Sequence, residues 1–311
     1  MLLSSVAAVL QSCSPCCSLF ASTKRYVKFS IITPSFHQLP YLKLCIRSVD
    51  DQRILLEHLI QDAGTGPELD RWVTKHSSAE LFVEKDEGMY DAINRGFSRA
   101  QGEICAWLNC DEQYLPGTLA RVEQFFAQHP EVDVLFGDAV LLDGAGSILS
   151  YRRAILPRRS HVRYVHLNTL SCATFFRRRL FEQGHRFDPQ WKAIGDAVWM
   201  YGLLSANKVM AVIPEPLATF AFTGENLSAS LKAQKEARCW RGNHWRNATV
   251  PFLSLSHRFH KWLAGAYRRR NLAISIYTLE SPNQRKEVNA SDVGYAWQNV
   301  DPRKVDGPQG R

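Results

Sequence analysis

The chain has 311 residues, 45% of them hydrophobic and 22% charged, ordinary values for a globular chain with a sizeable core. That length suits one large α/β domain with extensions, or two smaller domains. No stretch approaches the roughly 18 consecutive apolar residues of a membrane-spanning helix, and the composition speaks against a disordered or collagen-like chain. The net charge of +8 is unevenly split: residues 1–150 carry 12 Lys and Arg against 19 Asp and Glu, and residues 151–311 carry 26 against 11. An acidic half beside a basic half fits a cation held in the first and anionic partners at the second; it fits equally two differently solvated surfaces.

Residues 1–26 read as a leader or disordered tail, because Leu2–Leu10 is short and no Lys or Arg precedes it. Cys13, Cys16 and Cys17 form a Cys-x-x-Cys-Cys group, but no second pair has zinc-site spacing. Organisation begins at Val27. Val27–Thr33 is apolar and β-branched and predicts a buried strand ending at Pro34. Leu42–Val49 has helical spacing, Glu57–Asp62 reads as a second strand, Leu69–Thr74 as a short helix and Glu80–Glu84 as a third strand. Met89–Ala100 predicts a helix with Ala92, Ile93, Phe97 and Ala100 inward. Glu103–Leu108 is a fourth strand, Leu119–Gln128 a helix and Val132–Phe136 a fifth strand; Ala139–Leu142 and Ile148–Tyr151 form a hairpin across Asp143-Gly-Ala-Gly. Such alternation predicts a mostly parallel sheet covered on both faces, with ligands bound at the carboxyl ends of its strands. Thr33-Pro34-Ser35, Asp62, Asp86-Glu87-Gly88 and Asn109-Cys110-Asp111-Glu112 all fall at that edge, which makes it a candidate site.

Beyond Arg178 the pattern is more helical, with helices at Leu180–Gln183, Ala197–Leu204 and Ser228–Trp245 and a strand at Val209–Ile213. Phe252, Leu255, Phe259, Trp262 and Ala266 follow helical spacing among His257, Arg258, His260, Lys261 and Arg268–Arg270. This basic amphipathic helix predicts either docking of its apolar face onto the main domain or contact with an anionic membrane surface. His257 and His260 read as part of a solvated basic face rather than a metal site. The segment after Ser281 reads as a polar, irregular tail.

Several chemistries lose their usual marks: there is no Gly-x-x-x-x-Gly-Lys phosphate loop, no Gly-x-Gly-x-x-Gly after the first strand, no Gly-x-Ser-x-Gly and no His-Glu-x-x-His. Asn109-Cys-Asp111-Glu112 remains. A carboxylate on such a loop can share Mg²⁺ or Mn²⁺ with a diphosphate, although acidic clusters of this kind also occur as plain exposed turns.

Phe29-Ser-Ile-Ile-Thr-Pro-Ser-Phe, Gln61-Asp-Ala-Gly-Thr, Glu84-Lys-Asp-Glu-Gly-Met-Tyr-Asp-Ala-Ile-Asn-Arg-Gly, Ala100-Gln-Gly-Glu-Ile-Cys-Ala-Trp-Leu-Asn-Cys-Asp-Glu and Val134-Leu-Phe-Gly-Asp follow one another in order. Together they resemble a family 2 glycosyltransferase of the bacterial cell-surface polysaccharide type. Thr174-Phe-Phe-Arg-Arg178, Gly184-His-Arg-Phe-Asp188 and Gly195-Asp-Ala-Val-Trp-Met resemble its acceptor-side segments. The resemblance covers roughly Lys28 to Pro216 and implies the GT-A fold, a Rossmann-like, mostly parallel central sheet with helices on both faces, here with a helical C-terminal extension. The implied organisation is a GT-A domain over 27–220, with a nucleotide-sugar half to about residue 150 and an acceptor half after it. A helical basic extension over 221–280 and a polar tail over 281–311 complete it.

Residue by residue, the resemblance implies that Thr33, Pro34 and Ser35 line the nucleotide pocket and that Asp62 accepts a hydrogen bond from the base. It implies that Asp86, Asp91, Asn94 and Arg95 border the sugar and diphosphate. Asn109-Cys110-Asp111 stands as the Asp-x-Asp-type motif, with Asn109 near the ribose and Asp111 on the metal, Mn²⁺ or Mg²⁺, assisted by Glu112. The first position is Asn rather than Asp, which leaves one sure carboxylate for the ion. Asp196 matches the catalytic base of an inverting transfer; on its own it could equally be a helix N-cap. Arg177 and Arg178 read as facing diphosphate or as solvating a helix start, His166 as touching substrate or as a core histidine, and Asp188 as a turn residue. The expected partners are a nucleoside-diphosphate-sugar donor, most readily a UDP-sugar, and a glycan or polyprenyl-linked acceptor, with no nucleic acid. The expected place is cytoplasmic, at the inner face of the cell membrane. A sugar nucleotidyltransferase and a non-catalytic nucleotide- or glycan-binding scaffold are the other classes considered.

Overall fold

The computed structural model describes residues 28–224, 226, 230–242 and 249–295, so the leader and the Cys13, Cys16 and Cys17 group lie outside the described residues. The chain opens with β1 (Phe29–Ser35), α1 (Leu39–Asp50), β2 (Leu56–Asp62), α2 (Pro67–His76), β3 (Glu80–Val83), α3 (Met89–Arg99) and β4 (Ile104–Trp107). Strands β3, β2, β1 and β4 lie side by side and parallel. Ser35 pairs with Asp62 and Ile32 with Trp107, so the carboxyl ends of the three central strands open onto one edge. The period of two sorts their side chains: Phe29 and Ile31 enter one core with Ile104 and Ala106, while Ile32, Cys105 and Trp107 enter another on the opposite face. Both faces are covered, as the near-continuous apolar runs predict.

Helix α3 buries Tyr90, Ala92, Ile93, Gly96 and Phe97. It sits directly on β1 because Gly96 has no side chain; a Cβ there would come within 2.4 Å of Ile32.

The second half completes the sheet with β5 (Glu112–Tyr114), β6 (Val134–Asp143), β7 (Ile148–Arg152), β8 (Thr174–Arg177) and β9 (Met210–Phe222), in the order β4-β8-β6-β9-β5 with β7 on β6. The antiparallel pairs gather here. Val132–Phe136 and Ala139–Leu142, expected as separate strands, are one strand, and the expected hairpin to β7 turns at Asp143, whose Oδ1 accepts from the amides of Ala145 and Ser147. The connecting helices are α4 (Thr118–Gln128), α5 (Arg159–Tyr164), α6 (Arg179–Glu182) and α7 (Gly195–Ser205).

Two expectations for the last third fail. The basic helix, α9 (Thr249–Leu263), ends before Arg268–Arg270, and it follows α8 (Leu231–Arg241). The segment expected to be irregular after Ser281 contains β11 (Lys286–Val293), which pairs antiparallel with β10 (Arg270–Ile276). Ile274, Ile276 and Val293 of this hairpin pack on Val140, Leu142 and Tyr151 of the main sheet. Polar ties reinforce it: Gln113 and Tyr277 exchange two hydrogen bonds of 2.9 Å, and Arg285 forks onto Asp51 at 2.5 and 2.9 Å.

Candidate active site

A cavity of about 1990 Å³ opens at the carboxyl edge of the sheet, and its wall includes Pro34, Ser35, Asp86, Asn109, Asp111 and Asp196. Six of the expected site residues are thus brought together from β1, β4, α7 and the loop between β3 and α3.

Asp111 lies just past the end of β4. Asn226 donates from Nδ2 to its Oδ2 at 2.9 Å, and burial holds the carboxyl above the usual aspartate range. The neighbouring Asn109 Oδ1 is buried with no hydrogen-bond partner. One carboxylate and one unpartnered carbonyl oxygen at the cavity wall are hard donors that fit Mg²⁺ or Mn²⁺ shared with a diphosphate. Among the described residues no group of three or more His, Cys, Asp or Glu could hold an ion by itself.

Glu112 does not join them. Its carboxylate accepts from the Asn109 amide at 2.8 Å and from Ser171 Oγ at 2.7 Å, fully buried beneath the loop, where burial and then Asp111 raise its proton affinity. It braces the loop that presents Asp111.

Asp196 stands in the first turn of α7, where the helix dipole favours a carboxylate. Its Oδ1 accepts from Tyr90 Oη at 3.2 Å and from the Ala197 amide at 2.8 Å. Burial raises its pKa, and both hydrogen bonds work against that rise. Ile194, not Asp196, occupies the N-cap, so the capping alternative falls away. An aromatic platform fixes the pair: Tyr90 stacks on Phe187 at 5.5 Å, and Phe187 and Trp107 pack on Trp199 of α7 at 4.8 and 5.9 Å. Gly195 permits the approach, since a Cβ there would lie 2.6 Å from the Tyr90 ring.

The other expected residues sit behind the wall. Asp62 is fully buried and accepts from Ser35 Oγ, Thr65 Oγ1 and the amides of Gly64 and Thr65 at 2.5 to 2.9 Å. Its four acceptor sites shape the loop whose Ala63 faces the cavity; none is left for a base. Thr33 Oγ1 bonds His58 Nε2 at 2.8 Å within the core. Asp91 and Arg95 pair with each other at 2.9 Å away from the cavity, and Asn94 clamps the backbone of Phe187 through two bonds. Arg177 braces Glu103 and the carbonyls of Phe126 and Val132, and Arg178 holds Glu182 and the Gly102 carbonyl, so neither faces the site. Asp188 is the expected turn residue, accepting from the Gln190 amide.

The far part of the wall was the least expected. Helix α9 turns its polar side inward: His257 and Lys261 are 3% and 4% exposed, while Phe252 and Trp262 are 72% and 64% exposed. The expected docking of the apolar face on the domain is therefore reversed, and His257 and Lys261 leave the expected solvated basic face while Arg258 stays exposed. Lys261 Nζ lies 3.0 Å from His166 Nε2 and donates to Tyr295 Oη at 2.6 Å. His257 lies between His161 and His166 at 3.3 and 3.4 Å, and Arg152 of β7 reaches the same Tyr295 hydroxyl. His166, whose two readings stood open, lines the cavity. The spacing of His257 and Lys261, one turn apart, was the available signal; for Asn226 and Tyr295 the sequence carried none.

Residues 30–184 match the family model described as Glycosyl transferase family 2. A PGL/p-HBAD biosynthesis glycosyltransferase of Mycobacterium bovis and Mycobacterium tuberculosis is 27% identical over 178 residues, 54% of this chain and 66% of the relative, so the chain covers just under two thirds of that protein. An uncharacterized glycosyltransferase of Nostoc is 25% identical over 242 residues, 72% of this chain and 74% of the relative. Among solved structures, S. aureus TarS residues 1–349 with UDP-GlcNAc superposes with a TM-score of 0.51 at 19% identity, covering 66% of this chain and 61% of that one. The mannosyltransferase PcManGT of Pyrobaculum calidifontis with GDP-Man and Mn²⁺ gives 0.50 at 16% identity, covering 78% and 73%. At these identities the structural likeness establishes the fold, a GT-A-type α/β sheet.

Proposed function

We propose, because this chain belongs to glycosyltransferase family 2, that it transfers a sugar from a nucleoside-diphosphate donor to an acceptor hydroxyl with inversion. The observation that carries this reading is one cavity holding a half-buried carboxylate with an unpartnered carbonyl oxygen (Asp111, Asn109) and a second carboxylate, Asp196, on a rigid aromatic platform. Pro34, Ser35 and Ala63 form the nucleotide wall, with Asp62 acting through the loop it holds. Asp111 and Asn109 would hold Mn²⁺ or Mg²⁺, which supplies charge neutralisation for the departing diphosphate. Asp196 takes the acceptor hydroxyl's proton as that oxygen bonds to the anomeric carbon; the bond from that carbon to the diphosphate breaks, and the nucleoside diphosphate leaves. Positioned general-base catalysis of this kind is worth about 10²–10⁴-fold. A UDP-sugar is the proposed donor.

The proposed setting is cell-surface polysaccharide synthesis at the inner face of the membrane. No helix among the described residues is long and apolar enough to cross a membrane. What supports surface attachment is the outward apolar stripe of α9, Phe252, Leu255, Phe259, Trp262 and Leu263, beside exposed Arg258, Arg268 and Arg269. Co-sedimentation with phosphatidylglycerol vesicles should be salt-sensitive and should weaken in Phe259→Ser/Trp262→Ser; salt-independent or absent binding removes this part.

Calorimetric titration with UDP and GDP, with and without Mn²⁺, tests the donor site. Metal-dependent binding of one nucleotide is expected. Binding of neither overturns the donor assignment and favours the scaffold class.

A further inference from the structure

The loop that delivers Asp196 is held from another helix. Ile194, at the N-cap of α7, makes no side-chain capping bond, and the two amides just before it belong to Lys192 and Ala193. Glu236 of α8 takes both: Oε1 accepts from the Lys192 amide at 3.0 Å and Oε2 from the Ala193 amide at 2.8 Å. A carboxylate forked onto two successive amides makes charge-assisted bonds and fixes the tilt of the peptide between them. The same loop is tied on its other side, where Lys192 Nζ donates at 2.5 Å to the carbonyl of Glu87, next to the cavity-lining Asp86.

The placing of Asp196 depends on this loop. Gly195 lets α7 press on the Tyr90 ring, and the bond from Tyr90 Oη to Asp196 Oδ1 is 3.2 Å. That is already long for an O–H···O bond, so an outward shift of the loop would open it. Burial first, then Asp196, push the Tyr90 phenol above its ordinary range, and Glu236 adds to the rise, so its charge is felt at the pair. Helix α8 is also part of the cavity: Ala233, Gln234, Ala237, Arg238 and Trp240 form one helical face that lines it. Glu236 stands on the flank of that face. One helix therefore carries both a section of the wall and the anchor of the base loop.

We propose that Glu236 is a positioning residue for the transfer: it holds the 192–194 loop so that Asp196 meets the acceptor hydroxyl, and it makes the placing of the base depend on the seating of α8. This inference rests on the transferase reading above and adds a residue beyond the stretch that the family model matches. Glu236 acts through the loop and through Asp196, with no contact to the reacting atoms.

The test is a double-mutant cycle on the full chain with Glu236→Gln and Asp196→Asn. The readout is nucleoside diphosphate released to water, with Mn²⁺, from whichever of UDP-glucose, UDP-GlcNAc and GDP-Man the wild type turns over fastest. Glu236→Gln keeps the shape, removes the charge and sets an amide NH₂ against one of the two backbone donors. It should lower kcat by about tenfold to a hundredfold, with donor KM and nucleotide affinity unchanged. In the Asp196→Asn background it should lower the residual rate by less than about twofold, because the base it positions is gone. An equal loss in both backgrounds would make Glu236 a brace for the fold and overturn the proposal, as would full turnover in the single variant. Backbone hydrogen exchange gives a readout without turnover: in Glu236→Gln, residues 192–198 should exchange about tenfold faster while β1, β2 and β4 keep their rates. Unchanged exchange over 192–198, or a rise spread over the whole chain, would overturn it too. Should Glu236→Gln not fold, Glu236→Asp, one methylene short of both amides, carries the two readouts. A wild type that binds neither UDP nor GDP fails the transferase reading itself, whereas nucleotide binding with an additive cycle sinks this inference alone.

Discussion

The two walls of the cavity are built on opposite electrostatic terms. On the donor side, buried acids are satisfied by their own loops: Asp62 accepts from four donors within the β1 and β2 edge, and Glu112 accepts from Asn109 and Ser171. On the far side, Lys261 meets His166 at 3.0 Å and Tyr295 at 2.6 Å, and no described carboxylate forms an ion pair with it. The contrast teaches that local backbone amides can hold a buried carboxylate permanently, whereas an ammonium buried against a histidine and a tyrosine hydroxyl sheds part of its cost by giving up its proton more readily.

The largest break in the comparison comes from the one donor-side acid with chemistry to perform. Asp196→Asn should lower turnover by about 10²–10⁴-fold with nucleotide affinity unchanged, read by steady-state kinetics and calorimetry. Unchanged turnover would remove Asp196 as the base. Next is Asp62→Ala, which orphans four donors and should destabilise the fold by about 3 kcal/mol in denaturant titration.

Lys261→Met should act in the opposite direction, stabilising the ligand-free protein by about 1 kcal/mol and raising Tm by about 2 °C. The ammonium titrates near 7 in the fold instead of its ordinary 10.5, so the unfolded chain holds the extra proton between those values. Wild-type stability therefore rises with pH across that window, and the variant's advantage, full below pH 7, should fade toward pH 10. Melts at pH 6, 8 and 10 check this; a constant gap would mean that the charge is compensated after all. The smallest effect is Tyr90→Phe: removing the hydroxyl that lowers the Asp196 pKa should move the acidic limb of the kcat/KM profile to higher pH. An unmoved limb would detach Tyr90 from the base.

The same contrast marks what could be read from the sequence. The apolar runs of β1, β2 and β4 and the polar residues at their carboxyl ends were legible, because buried parallel strands carry their burial in composition. Which oxygens point into the cavity was not, since Glu112 and Asp111 are adjacent acids separated only by the turn between them. Asp62-Ala-Gly-Thr did carry a signal of its own, that of an Asx-type turn, which outweighs the base-binding role implied by resemblance. The orientation of α9 could not be read, because periodicity finds the two faces and tertiary contacts decide which turns inward. Strand β11 escaped notice because Lys286–Val293 has few apolar residues, and only its last one, Val293, is buried. Three-residue β5 was too short and polar to register.

Tyr295 lies two residues past the end of β11, and that hairpin is tied to the rest of the domain through Asp51 and Gln113. Neither it nor α9 falls within residues 30–184, where the family model matches. The far wall is thus composite: Arg152 and His166 come from within the matched stretch and His257, Lys261 and Tyr295 from beyond it, so changes in the later segment would alter one half of that wall while the nucleotide wall and its loop hydrogen bonds stayed as they are.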